Sequence, residues 1–294
     1  MASAQENSAD HEGPVSIQTP DSALREPVKL LKSIATDLWA GRELAWRMFL
    51  RNIRGLYRQS ILGLFWAFLP PLANTAVWVI LRNANAVDLA GGLEVSYAAY
   101  VMTGMVIWQS FIEAIQAPMQ AVQSNRNMLS KLKFPRESIL LVRFFEVMFN
   151  LAVRTAVLIP LLVFLNSTPF NAGMLWAPVL VLLLITLGFA IGLFLMPFGM
   201  LYQDVGRTIS VILPVWMILT PIIYAPPENW ISNPLNYLNP ASPLLSVARD
   251  LLVLGSSDYW INVWFYAAIA IPMLLVGLVL FRLSIPVLVE RIST

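Results

Sequence analysis

Two apolar segments, each long enough to cross a bilayer, are joined by the basic interval SNRNMLSKLKFPR at Ser124–Arg136, and this juxtaposition limits the chain more than any other feature. The interval carries Arg126, Lys131, Lys133 and Arg136 with no acidic residue before Glu137. Short loops this rich in Lys and Arg are retained on the cytoplasmic side of a membrane, so the interval fixes the orientation of everything around it. Leu129, Leu132 and Phe134 alternate with the cations. A short helix stopped by Pro135 would turn this apolar ridge towards a soluble protein and its charges towards water or phosphate. The same composition suits an ordinary positive-inside loop.

The remaining composition agrees with a membrane location. Hydrophobic residues make up 58% of the 294, above the roughly 45–50% of a soluble domain, and the mean hydropathy is +0.69. There are no cysteines, so disulfides, thiol catalysis and cysteine metal sites are excluded. The single histidine, His11, lies in a polar N-terminal stretch, so no histidine-based catalytic or metal site can form inside the membrane part. The expected fold is an all-α integral membrane protein.

Residues 1–28 are rich in Ser, Asp, Glu and Pro and lack the apolar core of a signal peptide, which predicts a disordered cytoplasmic tail. Residues 29–60 are amphipathic: Arg47, Arg51, Arg54 and Arg58 share one face, and Trp46, Phe49, Leu50, Ile53, Leu56 and Tyr57 supply the other. Such a helix lies along the membrane surface, each Arg near anionic headgroups contributing about 1 kcal/mol. Six spans are expected within 61–283, at Ile61–Leu81, Ser96–Ala121, Ser138–Leu165, Met174–Leu201, Thr208–Tyr224 and Trp260–Leu283, followed by a cytoplasmic tail 284–294. With 124–136 inside, fifteen Lys and Arg fall on the cytoplasmic side and only Arg82 and Arg249 outside, which places both termini in the cytoplasm. The outer segment 225–254 is Pro-rich, and its apolar pieces Asn229–Leu238 and Pro243–Leu254 are too short to cross. They are expected to dip into the outer leaflet and return as a lid or pore lining, because irregular backbone at that depth needs protein or water against it.

Two spans carry polar stripes. Gln109, Glu113, Gln116 and Gln120 share one helical face, as do Arg143, Glu146, Asn150 and Arg154. Counting inward from the basic loop puts Glu113 level with Arg143 and Glu146, so a pairing there is expected. Unpaired charge facing lipid costs at least about 2.5–3.5 kcal/mol. The stripes are either a polar lock between two helices or part of a moving pathway. Gly188, Gly192 and Gly199 allow close helix approach, within the bundle or at a subunit interface. Trp78, Trp108, Phe111, Trp216 and Tyr224 are core aromatics or, in a wide channel, stacking surfaces for sugars.

No GxxxxGK[ST] loop, HExxH helix or nucleophile elbow occurs, so nucleotide hydrolysis by a phosphate loop is excluded and catalysis in this chain is not expected. The order of parts resembles the permease subunits of ABC-2 type exporters, specifically those moving lipid-linked polysaccharides such as O antigens, teichoic acids and capsules. The resemblance runs from about Ala45 to Leu283 and rests on LYRQSILGLFWAFLPPL (Leu56–Leu72), SNRNMLSKLKFPRE (Ser124–Glu137), LYQDVGR (Leu201–Arg207) and YLNPASPLLSVARDLL (Tyr237–Leu252). It implies a homodimer in the bacterial cytoplasmic (inner) membrane enclosing a channel and docking two copies of a separate ABC ATPase. ATP and Mg would belong to that ATPase; this chain is expected to hold no cofactor or metal and to bind membrane lipids but no nucleic acid. The resemblance also implies that Trp46–Ser60 lies at the cytoplasmic interface, that Ser124–Arg136 couples to the ATPase or gates the entrance, and that Ala225–Leu254 forms short re-entrant helices. The family usually has Arg-Asp-Val where this chain has Gln203-Asp204-Val205, so a role for that Arg does not transfer.

Two other readings compete. A permease of the same build could export a small drug or peptide. An integral-membrane glycosyltransferase or polymerase would need a carboxylate at the membrane edge, for which Asp250 and Asp258 are the candidates.

Overall fold

Helix satisfies every backbone N–H and C=O within one segment, and a chain this apolar is bound to it wherever it meets lipid. The computed structural model describes residues 27–58, 63–85, 95–131, 134–165, 171–226, 239–257 and 260–293. Their helices are α1 (Pro27–Arg58), α2 (Phe65–Asn83), α3 (Tyr97–Ser124), α4 (Arg126–Lys131), α5 (Ser138–Leu165), α6 (Ala177–Leu201, entered through a 3-10 turn at Ala172–Trp176), α7 (Gln203–Leu219), α8 (Ala241–Val253) and α9 (Trp260–Ser293). Among these residues five segments are long and apolar enough to cross a membrane: α2, α3, α5, Ala172–Leu201 and Val263–Val287. The protein is an all-α membrane protein.

The expected spans and the helices agree closely at α5, which occupies Ser138–Leu165. They agree to within three residues at α3 and at Ala172–Leu201, and differ at α7 and α9. α7 begins at Gln203 and stops at Leu219 instead of continuing to Tyr224, because Thr220 precedes Pro221 and takes an extended backbone (φ −99°, ψ 133°), the proline ring disfavouring a helical residue before it. Its 17 residues reach about 26 Å at 1.5 Å per residue, short of a hydrocarbon core of roughly 30 Å. α9 passes Leu283 and runs to Ser293, so the C-terminal stretch is helix through that residue and not a separate tail. The outer piece Pro243–Leu254 is largely α8, a helix of 13 residues buried along almost its whole length. Residues 1–26 and the piece 229–238 lie outside the described residues.

α3 is the centre of the bundle, buried along most of its surface except the stripe of Gln109, Glu113, Gln116 and Gln120. α6 lies between α3 and α9, α5 and α2 flank α3, α8 wedges against α3 and α6, and α1 lies across α5. Val77 and Ile80 of α2, Val163 and Phe164 of α5, and Val211 and Ile218 of α7 face outward. A broad apolar exterior with polar groups turned inward is the arrangement that lipid solvent requires.

The close approach of α3 and α6 depends on glycine. A Cβ at Gly192 would run into the carbonyl oxygen of Ile115 and lie 2.8 Å from Pro118 Cδ, and one at Gly188 would lie 2.9 Å from the Phe111 ring. These small residues therefore serve packing within the chain. Gly192→Val is expected to cost at least about 1–3 kcal/mol, because it overpacks against rigid backbone. The check is the folded yield and thermal midpoint of the purified full-length protein in detergent; a midpoint equal to wild type would show that the helices can separate freely.

Candidate functional site

Polar side chains gather at three levels: the end carrying the basic interval, the interior of the bundle, and the opposite end. At the basic end Arg282 of α9 is the hub. It pairs with Asp37 of α1 at 2.7 Å and donates to Glu137, which leads into α5, at 3.1 Å. Burial pushes the Glu137 carboxyl above its usual range, against the opposing pull of Arg282. Gly41 of α1 lies against Pro135 and Ser138, leaving no room for a side chain. Three separate stretches of chain are thus clamped at the root of the basic interval.

The interval forms the expected short helix, α4, but its ridge points the other way. Leu129 is buried in the main core and Phe134 is half-buried against it. The apolar side of α4 packs on α9 and α3, where burial at about 25 cal/mol per Å² is immediately available. Arg126 and Asn127 are exposed, while Pro135 and Arg136 are half-buried. The face open to a soluble partner is therefore polar and basic. Leu132 and Lys133, with the side chain of Lys131, lie outside the described residues.

α1 shows a similar inversion. Its apolar side is taken up by α5: Phe49 meets Phe145 and Phe149 edge-on with ring centroids 6.0 Å apart, Trp46 meets Phe145 at 5.8 Å, and Leu50 and Ile53 join the same cluster. Asn52 donates to Glu146 at 2.8 Å, adding a polar tie. Arg47, Arg51 and Arg54 remain exposed, with Arg47 paired to Glu43 and Arg51 donating to Asn52 at 3.4 Å. The side chains of Tyr57 and Arg58 are outside the described residues. The outward surface of α1 is basic, with Trp39 and Leu56 also exposed.

Inside the bundle the two polar stripes meet, in a register other than the expected one. Glu113 pairs with Arg154, whose Nη1 donates to Glu113 Oε2 at 3.1 Å while Nη2 takes Oε1. Asn150 donates to the same carboxylate at 3.2 Å. Arg143 instead pairs with Glu146 on its own helix at 2.6 Å and donates to Ser124 at 2.6 Å. The last contact explains the shift. Ser124 sits level with Arg143 and not with the start of α5, and the eleven residues from Ser124 back to Glu113 match the eleven from Arg143 on to Arg154. The loop ends are not level, because α5 begins below the point where α3 ends. Gln116 accepts from Gln120 at 3.4 Å.

The deep aromatics are core in this chain. Trp108, Phe111 and Trp216 form a mutual cluster with centroids 5.4–6.0 Å apart, and Trp108 and Phe111 are fully buried. Trp78 and Tyr224 are half-buried against the same core. A cavity of 160 Å³ lies between α2, α3 and α7 against Trp108, Gln109 and Asn74, and an apolar groove of 280 Å³ runs between α6 and α7.

The opposite end holds a group that sequence reading missed. Arg249, fully buried, donates to Asp250 at 2.9 and 3.1 Å and to the carbonyl of Pro221, and its guanidinium lies 3.8 Å from the Tyr100 ring centroid. Asn239 accepts from Trp216 at 2.9 Å and donates to Thr220 at 3.0 Å, while Tyr97 donates to the Ile223 carbonyl at 2.9 Å. These residues latch α8 to α3 and to the irregular backbone after α7. The available signal was an adjacent Arg-Asp pair inside an otherwise apolar run too short to span, which calls for internal pairing.

Removing one partner of a buried ion pair strands the other, at about 3–5 kcal/mol, whereas an exposed pair contributes 0–1 kcal/mol. Glu113→Ala is therefore expected to reduce folded yield sharply, and Arg207→Ala, which breaks an exposed pair with Asp204 (3.4 Å), to leave it near wild type. Equal yields, measured by size-exclusion of the two full-length variants, would contradict the internal pairing.

Comparison with known proteins places the chain in a family. The chain is 23% identical over 239 residues, 79% of its length and 88% of the relative's, to the O-antigen export system permease protein RfbA of Klebsiella pneumoniae. It is 23% identical over 191 residues, 65% of this chain and 72% of the relative, to the protein of the same name from Myxococcus xanthus. It is also 23% identical over 243 residues, 80% and 91% of the two chains, to the polysialic acid transport protein KpsM of Escherichia coli. The ABC-2 type transporter profile covers residues 43–253, from within α1 through α8; the chain belongs to the ABC-2 type transporter family.

Proposed function

We propose that this chain is the membrane permease subunit of an ATP-driven exporter that moves a lipid-linked polysaccharide across the bacterial cytoplasmic membrane, as a homodimer with two copies of an ABC ATPase. The observation that carries the reading is its similarity, over about four fifths of its length, to an O-antigen export permease and to a polysialic acid transport protein, named for two different glycans. Shared architecture across two glycans fits a protein that handles polymer as a class. The charge distribution supports both termini being cytoplasmic, with α7 and the residues after it completing a sixth crossing.

In this reading the polymer path lies between the two copies of the chain. The exposed cations Arg126 and, in part, Arg136 suit an acidic groove on the ATPase, and the outward Arg47, Arg51 and Arg54 suit the phosphate of a lipid carrier, since guanidinium binds phosphate bidentately. The enzyme reading finds no support at Asp250, whose carboxylate is buried and held by Arg249; Asp258 lies outside the described residues.

Deleting the gene in a strain that displays a surface polysaccharide is expected to leave polymer inside the cell, restored by the wild-type chain. Arg126→Glu with Arg136→Glu should fail to restore it and should lower co-purification of the ATPase, with normal membrane insertion. Unchanged surface polymer on deletion would overturn the reading.

A further inference from the structure

Proline inside a helix removes the N–H that the carbonyl four residues earlier would accept. In α2 the double proline does this twice: Pro70 orphans the carbonyl of Trp66, and Pro71 that of Ala67. Within a bilayer such a carbonyl has no water to turn to, and it costs free energy until a donor is found. At Ala67 the donor is Arg154, whose Nε reaches the carbonyl oxygen at 2.7 Å from the middle of α5. The same guanidinium binds Glu113 of α3 through both terminal nitrogens and donates from Nη1 to Ser110 at 3.3 Å. It is 1% exposed.

We infer that Arg154 is the positioning residue of the first spanning helix: it replaces the hydrogen bond that Pro71 deletes, and so fixes the bend of α2 relative to α3 and α5. Both requirements are met by one planar fork, which explains why Arg stands there. A guanidinium offers Nε to one partner and its two terminal nitrogens to another in one plane. A lysine ammonium can neutralise Glu113, but it has no second arm fixed in direction for Ala67. Just beyond this point Phe68, Met102, Val106 and Leu158 close a separate apolar cluster of the same three helices, so the bend is gripped from two sides. α2 needs such a grip, because much of its surface, including Trp66, Val77 and Ile80, faces outward.

The inference predicts a coupling between a side chain and a proline on different helices. Arg154→Lys keeps the charge and loses the carbonyl bond. In that background Pro71→Ala returns the N–H to the Ala67 carbonyl and should rescue it, whereas Pro70→Ala, which serves Trp66, should not. The chain contains no cysteine, so spin labels at Trp66→Cys and Val157→Cys, both outward-facing on α2 and α5, report the helix geometry in full-length protein in membranes. Arg154→Lys should broaden or shift the distance distribution, Arg154→Lys with Pro71→Ala should restore it, and polymer export should fall and recover in parallel by about tenfold, the loss of one charge-assisted bond. An unchanged distribution in Arg154→Lys, or equal effects of Pro71→Ala and Pro70→Ala, would overturn the inference. If Arg154→Lys does not fold, rescue of folded yield by Pro71→Ala and not by Pro70→Ala decides the same question. Only the export measurement rests on the exporter reading, so a failure of that reading leaves the distance result standing.

Discussion

A charge or an unpaired peptide group inside a bilayer must find its partner within the protein, and this requirement organises the bundle. Glu113 and Arg154 settle it for α3 and α5, and the arm of Arg154 that reaches Ala67 extends the solution to α2. One buried ion pair thereby determines how three helices stand against each other at mid-depth. Buried pairs add little net stability over well-packed apolar residues, but they penalise every arrangement in which they are broken. Their contribution here is to the specific register of the helices.

The two ends of the bundle repeat the device with different parts. Arg282 joins α1, the entry to α5 and α9 on the basic side; Arg249 joins α8, Tyr100 and the backbone after α7 on the other. Between them α3 and α6 are locked by glycine-mediated contact, while α2 and α7 show broad apolar faces outward. The centre of the bundle is tightly packed and the outer helices are loosely covered. Interfaces between packed elements switch between discrete arrangements more readily than cores deform.

Much of this was legible in the sequence. The span at Ser138–Leu165 followed from a long, mostly apolar run whose polar residues share one helical face, bounded by Pro135 at its start, and α4 from the spacing within Ser124–Arg136. What failed was whatever depended on how elements stand beside each other. Counting from the loop assumed level helix ends, which sent Glu113 to Arg143 instead of Arg154. The ridge of Leu129 and Phe134, and the aromatic face of α1, were read as open to partners or lipid because a sequence shows that a face is apolar and not what covers it; α9 and α5 cover them. The latch at Arg249 went unread, although Asp250 stands next to it, because the receiving carbonyl of Pro221 and the Tyr100 ring meet it only in three dimensions. The end of α7 was misplaced because apolarity continues through Tyr224 while Pro221 has already broken the helix.

A polymer caught in transit would reveal the path directly. Export would be arrested by trapping the ATPase with a non-hydrolysable nucleotide in cells whose glycan carries a photoactivatable sugar, and the adducts then mapped by mass spectrometry. If the chain forms the conduit, it becomes crosslinked to glycan at residues within its spanning helices, and only when export is arrested midway. A glycan that crosslinks to other membrane proteins and never to this one, in cells that display polymer normally before arrest, would contradict it.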